Sequence, residues 1–137
     1  MTQAIKYCHD NNILHRDIKL DNILLHNKHV KLCDFGVSRI TIPGQVIKEQ
    51  CGTPAYIAPE IIARKGYSGT KADIWSLGIL LYAMLTGTVP FRSNNLSDLH
   101  RLILKGKFKL PGFLSIKVCD LLRKMIVLNP KKRISAK

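Results

Sequence analysis

The sequence predicts an α+β fold that is mainly helical and contains one short β-hairpin. The main observation is a nearly continuous apolar stretch at residues 70–86, which indicates a helix buried on every side. Two brief apolar runs, 23–25 and 30–33, are separated by four polar residues, as in a small hairpin. With 137 residues, 46% of them hydrophobic, the chain suits one globular domain and is too apolar for a disordered tail.

The remaining elements follow from the pattern in chain order. Residues 1–12 have apolar side chains at helical spacing and end in an Asn-Asn pair, which predicts the end of a helix. Residues 36–59 are rich in Gly, Pro, Thr and Ser and lack periodicity, so we expect one long loop, and such loops are usually functional. Two more helices are predicted beyond the apolar one, at residues 95–105 and 115–128.

Composition excludes several classes of protein. The 22 Lys and Arg outnumber the 9 Asp and Glu, for a net charge of +13, but the basic residues are scattered, with one run at 131–133. We therefore expect a solvated surface and no nucleic-acid partner. The four cysteines lack zinc-ligand spacing, which favours reduced thiols. No apolar run reaches the ~20 residues of a membrane span, and no secretory signal is visible, so we expect an intracellular, cytoplasmic protein.

A polar loop and the exit of the hairpin contain most of the charged and amide side chains that could form a reactive site. The sequence HRDIKLDN begins at His15, and DFG begins at Asp34. Carboxylate and amide oxygens such as those of Asp34 and Asn22 suit Mg²⁺, which usually shares substrate phosphates. Lys19 is placed to neutralise phosphoryl oxygens, and Asp17 remains to accept a proton from a substrate hydroxyl.

Four motifs in this order resemble the eukaryotic protein kinase family: HRDIKLDN, DFG, APE at 58–60 and DIWSLG at 73–78. The resemblance implies that residues 1–137 are a partial kinase domain, running from the catalytic loop to near the end of the large C-terminal lobe. It implies ATP and Mg²⁺ as cofactors and protein substrates with Ser or Thr acceptors. Lysine at position 19 and the Gly-Thr-Pro before Ala-Pro-Glu match the serine/threonine form of the family. The sequence at 51–60, 66–69 and 82–91 resembles the calcium/calmodulin-dependent and AMP-activated groups.

The resemblance also implies roles for single residues. Asp17 looks like the catalytic carboxylate, Lys19 like the lysine that stabilises the migrating phosphoryl group, and Thr53 like a threonine that hydrogen-bonds both. The metal ligands would be Asn22 and Asp34. Binding of the nucleotide and its metal ion is assigned to Leu24 beneath the adenine, Lys19, Asn22 and Asp34.

Other matched residues look structural. His15 and Phe35 match part of a stacked hydrophobic column. Glu60 should pair with Arg133, an ion pair that ties the segment after the loop to the last helices. Asp73 matches a buried aspartate that accepts backbone N–H groups of the catalytic loop.

Glu49 stands two residues before Cys-Gly-Thr, where many relatives carry a threonine whose phosphate pairs with the arginine of His-Arg-Asp. A permanent carboxylate could pair with Arg16 and Arg39 and so order the activation loop without phosphate. The alternatives are phosphorylation at Thr41 and a Glu49 side chain that faces solvent.

The Gly-rich loop, strand lysine and helix glutamate of a kinase small lobe do not occur in the sequence. We expect the chain to be a piece of a full kinase rather than a real truncated product, inactive alone because ATP is clamped between two lobes. Apolar surface around Leu24, Phe35 and Ile5 should then be exposed. The alternative is a non-catalytic kinase-lobe module that binds partners or acts as a scaffold.

Overall fold

A computed structural model describes residues 1–42 and 44–136. Within these ranges the fold is mixed α+β, with five helices and two antiparallel sheets of two strands each, which confirms the predicted class. The elements in chain order are α1 (Thr2–Asp10), β1 (Ile13–Leu14), β2 (Ile23–His26), β3 (His29–Leu32), β4 (Arg39–Ile40), α2 (Pro59–Ile62), α3 (Gly69–Thr86), α4 (Leu96–Lys105) and α5 (Ile116–Met125).

Helix α3 runs through the core, as its apolar sequence predicts. Trp75, Ile79 and Leu80 are fully buried. Gly78 lets α5 approach, because a Cβ atom there would lie 2.9 Å from the Cβ of Met125. The helix ends at Gly87, whose left-handed backbone is a common helix stop. Within the described part of the chain, no helix is both long and apolar enough to cross a bilayer.

The hairpin is tighter than predicted. Strands β2 and β3 pair from Ile23 opposite Leu32 to His26 opposite His29. Asn27 and Lys28 alone form the turn, and both have positive φ angles, 48° and 64°. Two such residues match the right-handed twist of the strands. The residues that enter and leave the hairpin, Asn22 and Cys33, therefore lie side by side next to the polar loop.

The prediction of one uninterrupted loop at residues 36–59 is wrong in part. Strand β4 pairs with β1, with Ile40 opposite Ile13, and Ile47 forms an isolated bridge with Tyr67. Helix α2 already begins at Pro59. These pairings join residues distant in sequence and involve one or two residues each, so they leave no periodic signal. We call residues 36–59 the connecting segment.

Two of the three apolar residues that we expected to be exposed are exposed in the structure. Leu24 is 52% and Phe35 44% exposed. Ile5 is fully buried, contrary to expectation, because α1 packs it into the core cluster that also contains Leu14 and Ile18. Exposure at the hairpin and its exit therefore agrees with the expectation, whereas Ile5 itself is not exposed.

Candidate active site

Asp73 of α3 fixes the loop that begins at His15. The backbone N–H groups of His15 and Arg16 donate to its carboxylate at 3.1 and 2.9 Å. The Nε2 atom of His9 lies 2.8 Å from the same carboxylate, and the aspartate is almost fully buried. These bonds support the left-handed φ of +70° at Arg16, which a non-glycine residue rarely adopts. His9 was not identified from sequence, because nothing local links it to a residue 64 positions away.

Asp17 is the centre of a hydrogen-bond network. Its Oδ1 accepts bonds from the hydroxyl and the backbone N–H of Thr53, at 2.7 and 3.0 Å. Its Oδ2 lies 3.1 Å from Nζ of Lys19 and accepts a longer bond, 3.3 Å, from the amide of Asn22. Partial burial on its own would raise the pKa of Asp17, but the hydrogen bonds from Thr53 and Lys19 outweigh burial and hold the pKa below its ordinary value. The carboxylate is therefore ionised at neutral pH.

Lys19 and Thr53 complete the network. The Lys19 ammonium donates to the Thr53 hydroxyl at 3.0 Å while it contacts Asp17. The hydrogen bond with Asp17 is the main cause that raises the pKa of Lys19, and the carboxylates of Asp21 and Asp34 add to it. Thr53 thus accepts from the lysine and donates to the aspartate, which joins the connecting segment to the loop that begins at His15.

The two oxygen-bearing residues proposed as metal ligands lie at the two ends of the hairpin. Asn22 precedes β2, is buried, and donates from Nδ2 to the backbone oxygen of Asp17 at 2.8 Å. Asp34 follows β3 with a φ of +62°, and its Oδ1 accepts the N–H of Gly36 at 3.1 Å. The N–H of Cys33 donates to the Asn22 carbonyl at 3.0 Å, which links the two ends. In residues 1–42 and 44–136, no three His, Cys, Asp or Glu side chains form a metal-binding cluster.

His15 and Phe35 contact each other, and Leu24 lies on the hairpin, about as exposed as Phe35. The rings of His15 and Phe35 meet edge to face, with centroids 4.8 Å apart. Nε2 of the buried His15 lies 3.0 Å from the Cys33 carbonyl, so the histidine joins the start of its own loop to the hairpin exit. Leu24, opposite Lys31 on the hairpin, stays half exposed.

Glu49 contacts both arginines that the sequence singles out. Nη1 of Arg39 lies 2.6 Å from each carboxylate oxygen, and Nη1 of Arg16 lies 3.1 Å from one of them. Arg16 also donates from Nε to the Val37 carbonyl at 2.8 Å, a contact that sequence alone did not indicate. The hydrogen bond from Arg39 is the main cause that holds the pKa of Glu49 below its ordinary value. The Glu49 side chain nevertheless stays largely exposed, at 58%.

Glu60 and Arg133 form the second arginine–carboxylate contact. The guanidinium donates to the two carboxylate oxygens at 2.7 and 3.0 Å, a bidentate geometry. It also donates to the carbonyls of Lys71 and Val127 and lies 5.1 Å from the ring centroid of Trp75. The pair is buried and joins α2 to the residues after α5.

Comparison with known proteins identifies the family to which the chain belongs. The family model described as the protein kinase domain matches residues 1–137. The chain belongs to the protein kinase domain family.

The curated relatives are serine/threonine kinases. The chain is 47% identical over 133 residues to the serine/threonine-protein kinase kin-29 of Caenorhabditis briggsae, which covers 96% of this chain and 16% of the relative. It is 44% identical to the serine/threonine-protein kinase SIK3 homolog of Danio rerio, over 96% of this chain and 11% of that protein. CBL-interacting serine/threonine-protein kinase 5 of Arabidopsis thaliana is 43% identical, over 98% of this chain and 31% of its own length. The chain thus spans less than a third of these relatives.

Proposed function

We propose that the protein to which this chain belongs is an ATP-dependent serine/threonine protein kinase, and that residues 1–137 form part of its C-terminal lobe. The observation that carries the proposal is the network at Asp17, whose carboxylate is held by Thr53 and Lys19 at 2.7–3.1 Å. A scaffold would not require an ionised aspartate, a lysine and a buried asparagine at one loop. The serine/threonine kinase relatives support the same reading.

Asp17 and Lys19 would carry out the transfer. The acceptor Ser or Thr oxygen forms a bond to the γ-phosphorus of ATP as the bond from that phosphorus to the β-phosphate oxygen breaks, and the acceptor proton passes to Asp17. The Lys19 ammonium offsets negative charge on the migrating group. Thr53 keeps the aspartate and lysine at fixed positions, so positioning supplies most of the rate enhancement.

Asn22 and Asp34 have the donor chemistry for Mg²⁺. The Nδ2 atom of Asn22 is used in the bond to the Asp17 carbonyl, which leaves its oxygen as the ligand atom. Two protein oxygens are few, and Mg²⁺ commonly completes its shell with waters and substrate phosphates. Bound Mg²⁺ neutralises phosphate charge. The half-exposed Leu24 would support the adenine.

Replacing Asp17 in the full-length protein tests this function. Asp17→Asn should lower the kcat for phosphorylation of a Ser peptide by about 10²–10⁴-fold, because the amide cannot accept the proton. Asp98→Asn is the matched control, since Asp98 pairs with Arg101 on the exposed face of α4.

Residues 1–137 alone should transfer no phosphate. Peptide phosphorylation by the isolated chain, abolished by Asp17→Asn, would refute the expected inactivity, whereas a silent full-length protein that still binds partners would favour the scaffold alternative.

Glu49 would act as a permanent substitute for an activation-loop phosphate. Its carboxylate contacts Arg16, which neighbours Asp17, and Arg39. A carboxylate has less charge and fewer acceptor oxygens than a phosphate, so it would hold the loop more weakly. Because it is permanent, it would hold the loop at all times. The kinase would therefore be active without phosphorylation at Thr41 or elsewhere in the connecting segment.

A further inference from the structure

The connecting segment is anchored to the chain ahead of α3 two residues before Glu49. Ile47 and Tyr67 exchange backbone hydrogen bonds at 3.0 and 2.9 Å, and both side chains are buried. Gly66 allows this approach, because its φ is +81° and a Cβ atom there would lie 2.4 Å from Cγ1 of Val46. The backbone just before Glu49 therefore has a fixed position.

Tyr67 extends this anchor to Glu49 itself. Its hydroxyl donates to the backbone carbonyl of Glu49 at 2.9 Å. Burial is the main cause that raises the pKa of Tyr67 to about 12, so the hydroxyl remains protonated and a donor throughout the neutral range. Glu49 is thus held at both ends, by Tyr67 at its backbone and by Arg16 and Arg39 at its carboxylate.

We infer that Tyr67 is a positioning residue for the contact between Glu49 and Arg16. An exposed ion pair gains little, because ordering two long side chains offsets the attraction. Fixing the Glu49 backbone in advance lowers that cost, so the carboxylate reaches Arg16 more of the time. The structural part of the inference stands on these contacts alone, and its consequence for catalysis rests on the proposed function.

The chain offers a matched pair of variants and a direct probe. Tyr67→Phe removes only the hydroxyl. Tyr82→Phe is the control, since Tyr82 is equally buried and its hydroxyl donates to the Lys109 carbonyl at the same distance, 2.9 Å. In the full-length protein labelled with ¹³C at the glutamate side-chain carboxyls, the NMR signal that disappears in Glu49→Gln belongs to Glu49.

The pKa of the Glu49 carboxyl is then measured by NMR titration. Tyr67→Phe should raise it toward the ordinary value of an exposed glutamate, because the carboxylate spends less time beside Arg39 and Arg16. Tyr82→Phe should leave it at the wild-type value, and the other glutamate signals serve as the internal reference in each sample. An unchanged Glu49 pKa in Tyr67→Phe, or an equal rise in both variants, overturns the inference.

Kinetics of the full-length kinase provide the second measurement. Tyr67→Phe should lower kcat by about threefold or more and leave the KM for ATP unchanged, while Tyr82→Phe changes neither. In a Glu49→Gln background, Tyr67→Phe should cause no further loss, because the hydroxyl acts through Glu49. Additive losses would show a merely structural role and contradict the inference. A wild-type protein without kinase activity would instead refute the proposed function, while the NMR result still decides the role of Tyr67.

Discussion

The two glutamates of this chain make the same chemical contact in opposite surroundings. Glu60 meets Arg133 where both side chains are buried, at 10% and 0% exposure. Glu49 meets Arg16 and Arg39 at the surface, where its own side chain is 58% exposed. Contacts of 2.6–3.1 Å occur in both places. Distance therefore does not distinguish the two contacts, and burial does.

Burial determines how much each contact contributes to the stability of the fold. Removing one partner of a buried pair leaves an uncompensated charge in a poorly solvated site, which is strongly destabilising. Water replaces a lost partner at the surface, so an exposed pair contributes little to global stability. The Glu60 pair joins two distant parts of the fold, whereas the Glu49 cluster bears on the loop that contains Asp17. We expect the first to control folding and the second to control activity.

The largest expected effect is the loss of the Glu60 carboxylate. Glu60→Gln should lower the free energy of unfolding by about 3–5 kcal/mol, because Arg133 then remains buried without its counter-charge. Urea denaturation followed by circular dichroism measures this. In Glu60→Gln/Arg133→Met the charge mismatch is gone, but the carbonyls of Lys71 and Val127 lose their donors, so recovery should be partial. A shift in Glu60→Gln no larger than that of a surface substitution would break the comparison.

The partners in both contacts were predicted from the family resemblance, Glu60 with Arg133 and Glu49 with Arg16 and Arg39. The order of motifs along the chain reflects a shared fold, so residues at matching positions have the same neighbours. The apolar run predicted α3 within one residue.

Tertiary contacts of residues outside those matched to the family were not predicted. His9 meets Asp73 and Tyr67 meets Glu49 only after the chain has folded, and neither has a local signature. Left-handed φ angles at Arg16 and Asp34 are imposed by the bonds around them, against local preference. A two-residue strand such as β4 carries too few positions to show alternation.

The next effect in size concerns activity and not stability. Glu49→Ala in the full-length kinase should lower kcat by about tenfold or more, while the urea midpoint stays nearly unchanged because the carboxylate is exposed. Arg16→Ala should act in the same direction. Phosphatase treatment of the wild type should leave the rate within about threefold, because the proposed function assigns the ordering of the loop to Glu49 and not to a phosphate. A large loss after phosphatase treatment, with Glu49→Ala harmless, would place the switch at a phosphorylated residue such as Thr41.

The smallest effects, those of salt and pH on stability, separate the two glutamates most sharply. Exposed charges are screened within about 10 Å at 0.1 M salt, and buried pairs are screened much less. The small destabilisation by Glu49→Gln should therefore disappear as salt rises, while that of Glu60→Gln persists.

The sign of the pH effect at Glu49 follows from its pKa, which is lower in the folded chain than in the unfolded one, mainly because of Arg39. Folding then gains from ionised Glu49 above the unfolded-state pKa, and this gain is lost as pH falls through the folded-state value. Urea midpoints of the wild type and Glu49→Gln should differ near neutral pH and converge in the acid range below the ordinary glutamate pKa. A difference that grows on acidification would contradict the assigned contact with Arg39.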